Sequence, residues 1–187
     1  MTTSEQRKLI RSKIETGSSP QQVYDELHGP GNAADEELAD MVRDVPTLER
    51  RADYRLQQWA LLGLLALDVA WKLGVVLPAD AQRGWPGVVF QSAFAAAILF
   101  AALGVAKYWR RAHSTAAVIA FVQLTYPIGP ATDIGPKDVL MTVVFAAAAL
   151  LGWYLQRKLT PDYIILKEHY KNADDQARMR RVVRFGD

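Results

Sequence analysis

The chain contains no cysteine. That absence removes disulfides, thiolate nucleophiles and cysteine-ligated zinc or iron–sulfur centres together. Histidine is scarce: His28, His113 and His169 are the only three, and none has an acidic or second histidine partner at ligand spacing. A phosphate-cradling glycine loop, a nucleophile elbow, an HExxH helix and paired carboxylates at membrane depth are all missing. With these gaps no enzyme is expected, and no catalytic residue, metal site or cofactor.

Charge is scarce in one place only. The 187 residues are 50% hydrophobic and 22% charged, with a net charge of +2 and a mean hydropathy of −0.02, values that suit an ordinary soluble domain. The average hides a segregation. Residues 1–55 hold 8 Lys and Arg against 11 Asp and Glu, residues 56–155 hold 6 against 4, and residues 156–187 hold 8 against 5. A membrane domain between two polar ends explains this better than a uniform globule.

Spanning a bilayer core of about 30 Å takes roughly 20 apolar residues. Four segments come near that length: Gln57–Leu77, Gly87–Ala106, Ser114–Gly129 and Val139–Leu155. The last two are short and must draw on flanking residues or thin the bilayer locally. With the N-terminus inside, four spans place Arg43, Arg50, Arg51, Arg55, Lys107, Arg110, Arg111, Arg157, Lys158 and Lys167 in the cytoplasm, and only Arg83 and Lys137 outside. Such a bias is what the positive-inside rule requires. Trp59, Trp109 and Trp153 then sit at inner ends and Trp71 and Trp85 near outer ends, as two aromatic belts would place them. The first 17 residues lack an apolar signal core, so the first span is expected to direct insertion. A bacterial-type inner (cytoplasmic) membrane with both termini cytoplasmic is the expected location.

The N-terminal 46 residues read as a three-helix module. Ser4–Thr16 presents Leu9, Ile10 and Ile14 and stops at Gly17. Ser19, Pro20 and Gln22 supply a cap, a first-turn proline and a capping-box partner for a helix bearing Val23, Tyr24 and Leu27. Asn32 is placed to cap a third helix, with Asp35, Glu36 and Glu37 in its first turn and Leu38, Met41, Val42 and Val45 on one face. Residues 47–56 form a linker helix started by Thr47. So small a module needs a partner surface, whether another protein, a second copy or the chain's own tail. Nucleic acid is excluded as that partner, because an acidic module repels phosphate.

The tail, residues 156–187, reads as a basic cytoplasmic helix opened by Thr160 and Pro161. Arg178, Arg181 and Arg184 recur at threefold spacing beside Met179, Val182 and Val183, an amphipathic pattern for binding lipid headgroups or a partner. Docking onto the acidic N-terminal helices is the competing reading.

Each ionisable group at membrane depth asks for a partner or a purpose. Asp68 falls at the midplane of the first span, with Lys72 one turn outward; Gln91, Ser92, Gln123, Tyr126 and Thr142 also lie in the outer half or near the middle. These seven residues form either a polar vestibule ending at a carboxylate or a local Asp68–Lys72 pair completed by Gln91 or Gln123. Ala93, Ala97 and Ala101, and Ala148 with Gly152, stand four apart, as close helix contacts require. The repeat Ile128-Gly129-Pro130 and Ile134-Gly135-Pro136 reads as a stiff outer turn.

The expected fold class is therefore all-α: a polytopic membrane protein with four transmembrane helices, a small N-terminal cytoplasmic helical module and a C-terminal amphipathic helix. The expected function is a non-enzymatic scaffold or assembly subunit that presents its cytoplasmic module to a protein partner. Membrane lipids, and a homo-oligomer or partner membrane protein on the small-residue faces, are the other expected partners. A small homo-oligomeric ion channel or proton-linked transporter using Asp68 is the alternative, and a signal-gated membrane-perturbing effector a further one.

Overall fold

The computed structural model describes residues 3–28, 35–82, 84–125, 135–171 and 177–186. They form two compact units, one built from residues 1–52 together with 158–187, the other from residues 53–157.

The first unit joins the two ends of the chain. Its helices are α1 (Thr3–Glu15), α2 (Pro20–His28) and α3 (Glu36–Arg43). Gly17, at φ +97°, ends α1 in a conformation that glycine adopts freely. The capping box of α2 is formed: Ser19 N donates to Gln22 Oε1 at 3.0 Å and Gln22 N to Ser19 Oγ at 3.2 Å. The cap of α3 differs from expectation. Asp35, in extended backbone, accepts from Leu38 N at 3.0 Å, while Asn32 lies outside the described residues. The shorter helix keeps Glu36 and Glu37 at its positive end.

The C-terminal segment is not a helix. Pro161 follows the last helix instead of opening a new one, and Tyr163–Lys171 (β1) pairs antiparallel with Ala177–Phe185 (β2), Tyr163 opposite Phe185 and Ile165 opposite Val183. Aromatic and β-branched residues at alternate positions outweigh the threefold arginine spacing, because a strand sends every second side chain to one face. Tyr163, Val183 and Phe185 thereby meet α1–α3. Ile10, Ile14, Val23, Tyr24, Leu38, Ala39, Met41, Val42 and Val183 form one buried core, with Tyr163 and Phe185 packed against it. Among the surfaces weighed for the N-terminal helices, the chain's own tail supplies this one.

Polar bonds rim that core. Gln21 donates to Val183 O at 3.4 Å and accepts from Phe185 N at 3.0 Å, Tyr163 Oη donates to Asp40 at 3.1 Å, and Arg50 donates to Thr160 O at 2.7 Å. Ion pairs Arg43–Asp162 and Arg181–Glu36 are exposed and contribute little. A hydrogen bond from Arg11, helped by Arg51, holds Glu15 below the ordinary carboxylate range. Burial pushes the Tyr24 hydroxyl above its usual value.

The second unit is helical. After the short α4 (Leu48–Asp53), which Thr47 caps through Arg50 N, a turn at Tyr54 leads into α5 (Arg55–Trp71), a π-helical segment (Lys72–Val76) and α6 (Leu77–Ala81). Then come α7 (Trp85–Ala106), α8 (Arg110–Thr125) and α9 (Pro136–Leu159). The last is longer than the apolar run predicted, since Gly135 N, bonded to Asp138 Oδ2 at 2.9 Å, and Pro136 begin it early. Three stretches are long and apolar enough to cross a membrane: Arg55–Ala81 at 27 residues, Trp85–Ala106 at 22 and Pro136–Leu159 at 24. α8 has 16 residues, about 24 Å at a helical rise. The Ile128–Ile134 part of the glycine–proline repeat lies outside the described residues.

The unit's surface is apolar. Leu56, Leu67, Val89, Phe100, Leu103, Val118, Phe121, Leu140, Val143 and Leu150 are all exposed, an exterior that belongs in lipid rather than water.

Candidate functional site

Buried polar side chains in the second unit fall in two layers on α5 and α8. Along α5 and into the π-helical segment, Gln58, Leu61, Leu65, Asp68 and Lys72 are all buried at alternating steps of three and four, which keeps them on one face. Along α8, His113, Ala116, Ala120 and Gln123 repeat the same steps and are also buried. Gln58 meets His113 and Asp68 meets Gln123, both pairs 55 positions apart in sequence. The two helices are therefore parallel and in register, with the layers about 15 Å apart and leucine and alanine side chains between them.

In the first layer Gln58 Nε2 donates to Val105 O of α7. This turns Gln58 Oε1 toward His113 Nε2, 3.4 Å away, while His113 Nδ1 donates to Trp109 O at 3.0 Å. A neutral ring with its proton on Nδ1 offers Gln58 only a lone pair, so that last contact is packing rather than a full hydrogen bond. The sequence showed no partner for His113, beside the basic Arg110 and Arg111; the structure buries it to 1% exposure. Its burial comes from close helix approach. A Cβ on Gly104 would lie 2.5 Å from Ala112 Cβ, and one on Gly152 would lie 3.0 Å from His113 O and 3.2 Å from Ala117 Cβ.

In the second layer Gln123 Nε2 donates to Asp68 Oδ2 at 2.7 Å. Lys72 does not close an ion pair with Asp68: its Nζ lies over the Phe94 ring, 5.3 Å from the centroid. The π-helical turn begins at Lys72, where Leu77 N donates to Lys72 O. Widened turns of this kind recur at functional sites.

The vestibule expected from sequence is assembled in part. Asp68, Lys72 and Gln123 come together. Thr142 donates instead to Asp138 O of its own helix at 2.8 Å, Ser92 is exposed, Gln91 is half-buried, and Tyr126 lies outside the described residues. Of the tail residues, Val183 is fully buried and has no access to lipid, Val182 is half-buried, Met179, Arg181 and Arg184 are exposed, and the Arg178 side chain lies outside the described set. Arg184 pairs with Glu168 across the hairpin at 2.8 Å. Of the small-residue stripes, Ala101, Ala148 and Gly152 are buried inside the bundle, while Ala93 and Ala97 face outward. Sequence reasoning missed Gln58, His113 and the Ala112–Ala116–Ala120 stripe; the shared three-and-four spacing was the signal available.

These features define a mostly helical protein of the membrane-associated class, with no cluster of metal-ligating side chains among the described residues. Compared with known proteins, the chain matches no family model, no curated protein and no solved structure.

Proposed function

We propose that this protein is a non-enzymatic, four-span scaffold or assembly subunit of a bacterial-type inner membrane, its composite N- and C-terminal module facing the cytoplasm and a protein partner. The observation that carries this reading is the outer face of the hairpin. Ile164 and Leu166 stay 59% and 37% exposed there although the module's own core is closed by Val183. Apolar side chains held outward on a sheet, with Arg184 and the half-buried Val182 on the same face, make a surface for a partner.

Parity supports the fourth span. Both chain ends share one core and so lie on one side of the membrane, which requires an even number of crossings, whereas three helices qualify by length and hydropathy. α8, with Val118 and Phe121 each 60% exposed, is the helix available to complete the count. The outward Ala93 and Ala97 offer a second copy or a membrane partner a close-approach face.

Photo-crosslinking from position 166 in membranes is expected to trap a discrete protein adduct, and Leu166→Glu to reduce its co-purification at least tenfold while the module stays folded. No adduct from this face would sink the scaffold reading. The two polar layers favour one other reading, proton-linked transport. It requires proton flux in vesicles that Asp68→Asn abolishes; no flux from the parent protein would remove it.

A further inference from the structure

The Asp68–Gln123 contact leaves two oxygens without a partner. Asp68 and Gln123 are 3% and 6% exposed, and neither Asp68 Oδ1 nor Gln123 Oε1 takes part in a hydrogen bond among the described residues. Both are acceptors when Asp68 is ionised, so they cannot satisfy each other. A buried carboxylate short of a donor is costly, and a charged one without a counter-cation more so. Lys72 is near enough to act on it electrostatically but closes no ion pair: its Nζ is turned onto Phe94, and among the described residues no other lysine, arginine or histidine nitrogen pairs with Asp68. Next to these two residues along their helices, Leu64 and Trp71 of α5 and Leu124 of α8 pack against Met141, Val144 and Phe145 of α9, and among the described residues Lys72 is the titratable group that acts on Asp68.

A single proton removes both deficits. We propose that Asp68 is a proton-binding site in the middle of the bundle: it holds a proton taken from solvent on Oδ1, donates it to Gln123 Oε1, and receives Gln123 Nε2–H on Oδ2. Acid and amide then close a ring of two hydrogen bonds, and the carboxyl is neutral at membrane depth. The ligand is H⁺ rather than a metal cation, since one carboxyl and one amide oxygen are too few for the six to eight oxygens about calcium or the octahedron about magnesium. This goes beyond the scaffold reading and holds whether or not protons cross the membrane.

Infrared spectroscopy of the full-length protein in lipid nanodiscs at neutral pH tests it. The wild-type minus Asp68→Asn difference spectrum is expected to show loss of a protonated-carboxyl C=O band, and Gln123→Leu to shift that band to higher frequency as its hydrogen bonds are lost. A difference spectrum showing only carboxylate bands overturns the proposal, as does a carboxyl band that Gln123→Leu leaves in place. Stability gives a second readout. Asparagine can keep a two-bond amide ring with Gln123, so Asp68→Asn is expected to unfold at nearly the parent temperature. A large loss would mean that Asp68 is the ionised counter-charge of Lys72. Should Asp68→Asn fail to fold, that outcome overturns the proposal too.

Discussion

Deleting residues 163–187 is expected to unfold the three N-terminal helices, although none of their own residues is touched. Val183 sits at zero exposure in the core they form, and Tyr163 and Phe185 cover its edge. A fully buried valine contributes about 1.5–3 kcal/mol and each aromatic a comparable amount. A core of this size supplies only about 3–5 kcal/mol of net stability, so losing all three leaves the helices near or below zero. Hydrogen exchange across α1–α3 and limited proteolysis within the first 46 residues are the measurements. Full loss of protection is expected for the deletion, and Val183→Asp, which buries an unpaired charge, is expected to approach it. Undiminished protection would mean that the three helices fold without the hairpin.

Gly104→Ala is expected to cost more than any other single methyl in the bundle. The added Cβ would stand 2.5 Å from Ala112 Cβ and 3.2 Å from Trp109 Cε3, whereas carbon atoms rest at about 3.5–4.0 Å. The neighbours have little room to yield. Ala112 is buried on a helix, and the turn between α7 and α8 already holds Tyr108 at φ 55°. Overpacking of this kind costs about 1–3 kcal/mol, and here the upper end is expected, read as a lowered unfolding temperature in detergent. Ala112→Gly in the same chain should restore most of the loss, because the two sites couple through one contact. Failure of that rescue would place the damage in backbone conformation and not in the contact.

How far the sequence revealed this architecture follows from which forces are local. Three of the four apolar runs, the Ser19–Pro20–Gln22 cap and the acidic first turn of α3 are local signals, and each led to an element close to the one observed, whereas the run Ser114–Gly129 corresponds to α8, which is too short and too polar to qualify as a span. The hairpin was hidden by a conflict of periods. Arg178, Arg181 and Arg184 repeat at a helical step, while Tyr163 and Ile165, with Val183 and Phe185, alternate at a strand step, and pairing of the two stretches decided between them. A pair of nine-residue strand-formers around Asn172, Asp174 and Asp175 was the legible cue. In the candidate site Asp68 and Gln123 were visible as polar residues at membrane depth. His113 was not, because its neighbours Arg110 and Arg111 mark a solvated loop, and only the close approach permitted by Gly104 and Gly152 buries it.

The equal 55-residue offset of the two polar layers has a mechanical side. One contact between parallel helices leaves them free to roll and slide about that point. A second, about 15 Å further along the same faces, fixes their register, since a slide would carry Gln123 Nε2 away from Asp68 Oδ2 and lift His113 off Gln58 together. α5 is in turn tied to the C-terminal end of α7 by the hydrogen bond from Gln58 Nε2 to Val105 O, so the register of three helices is set together.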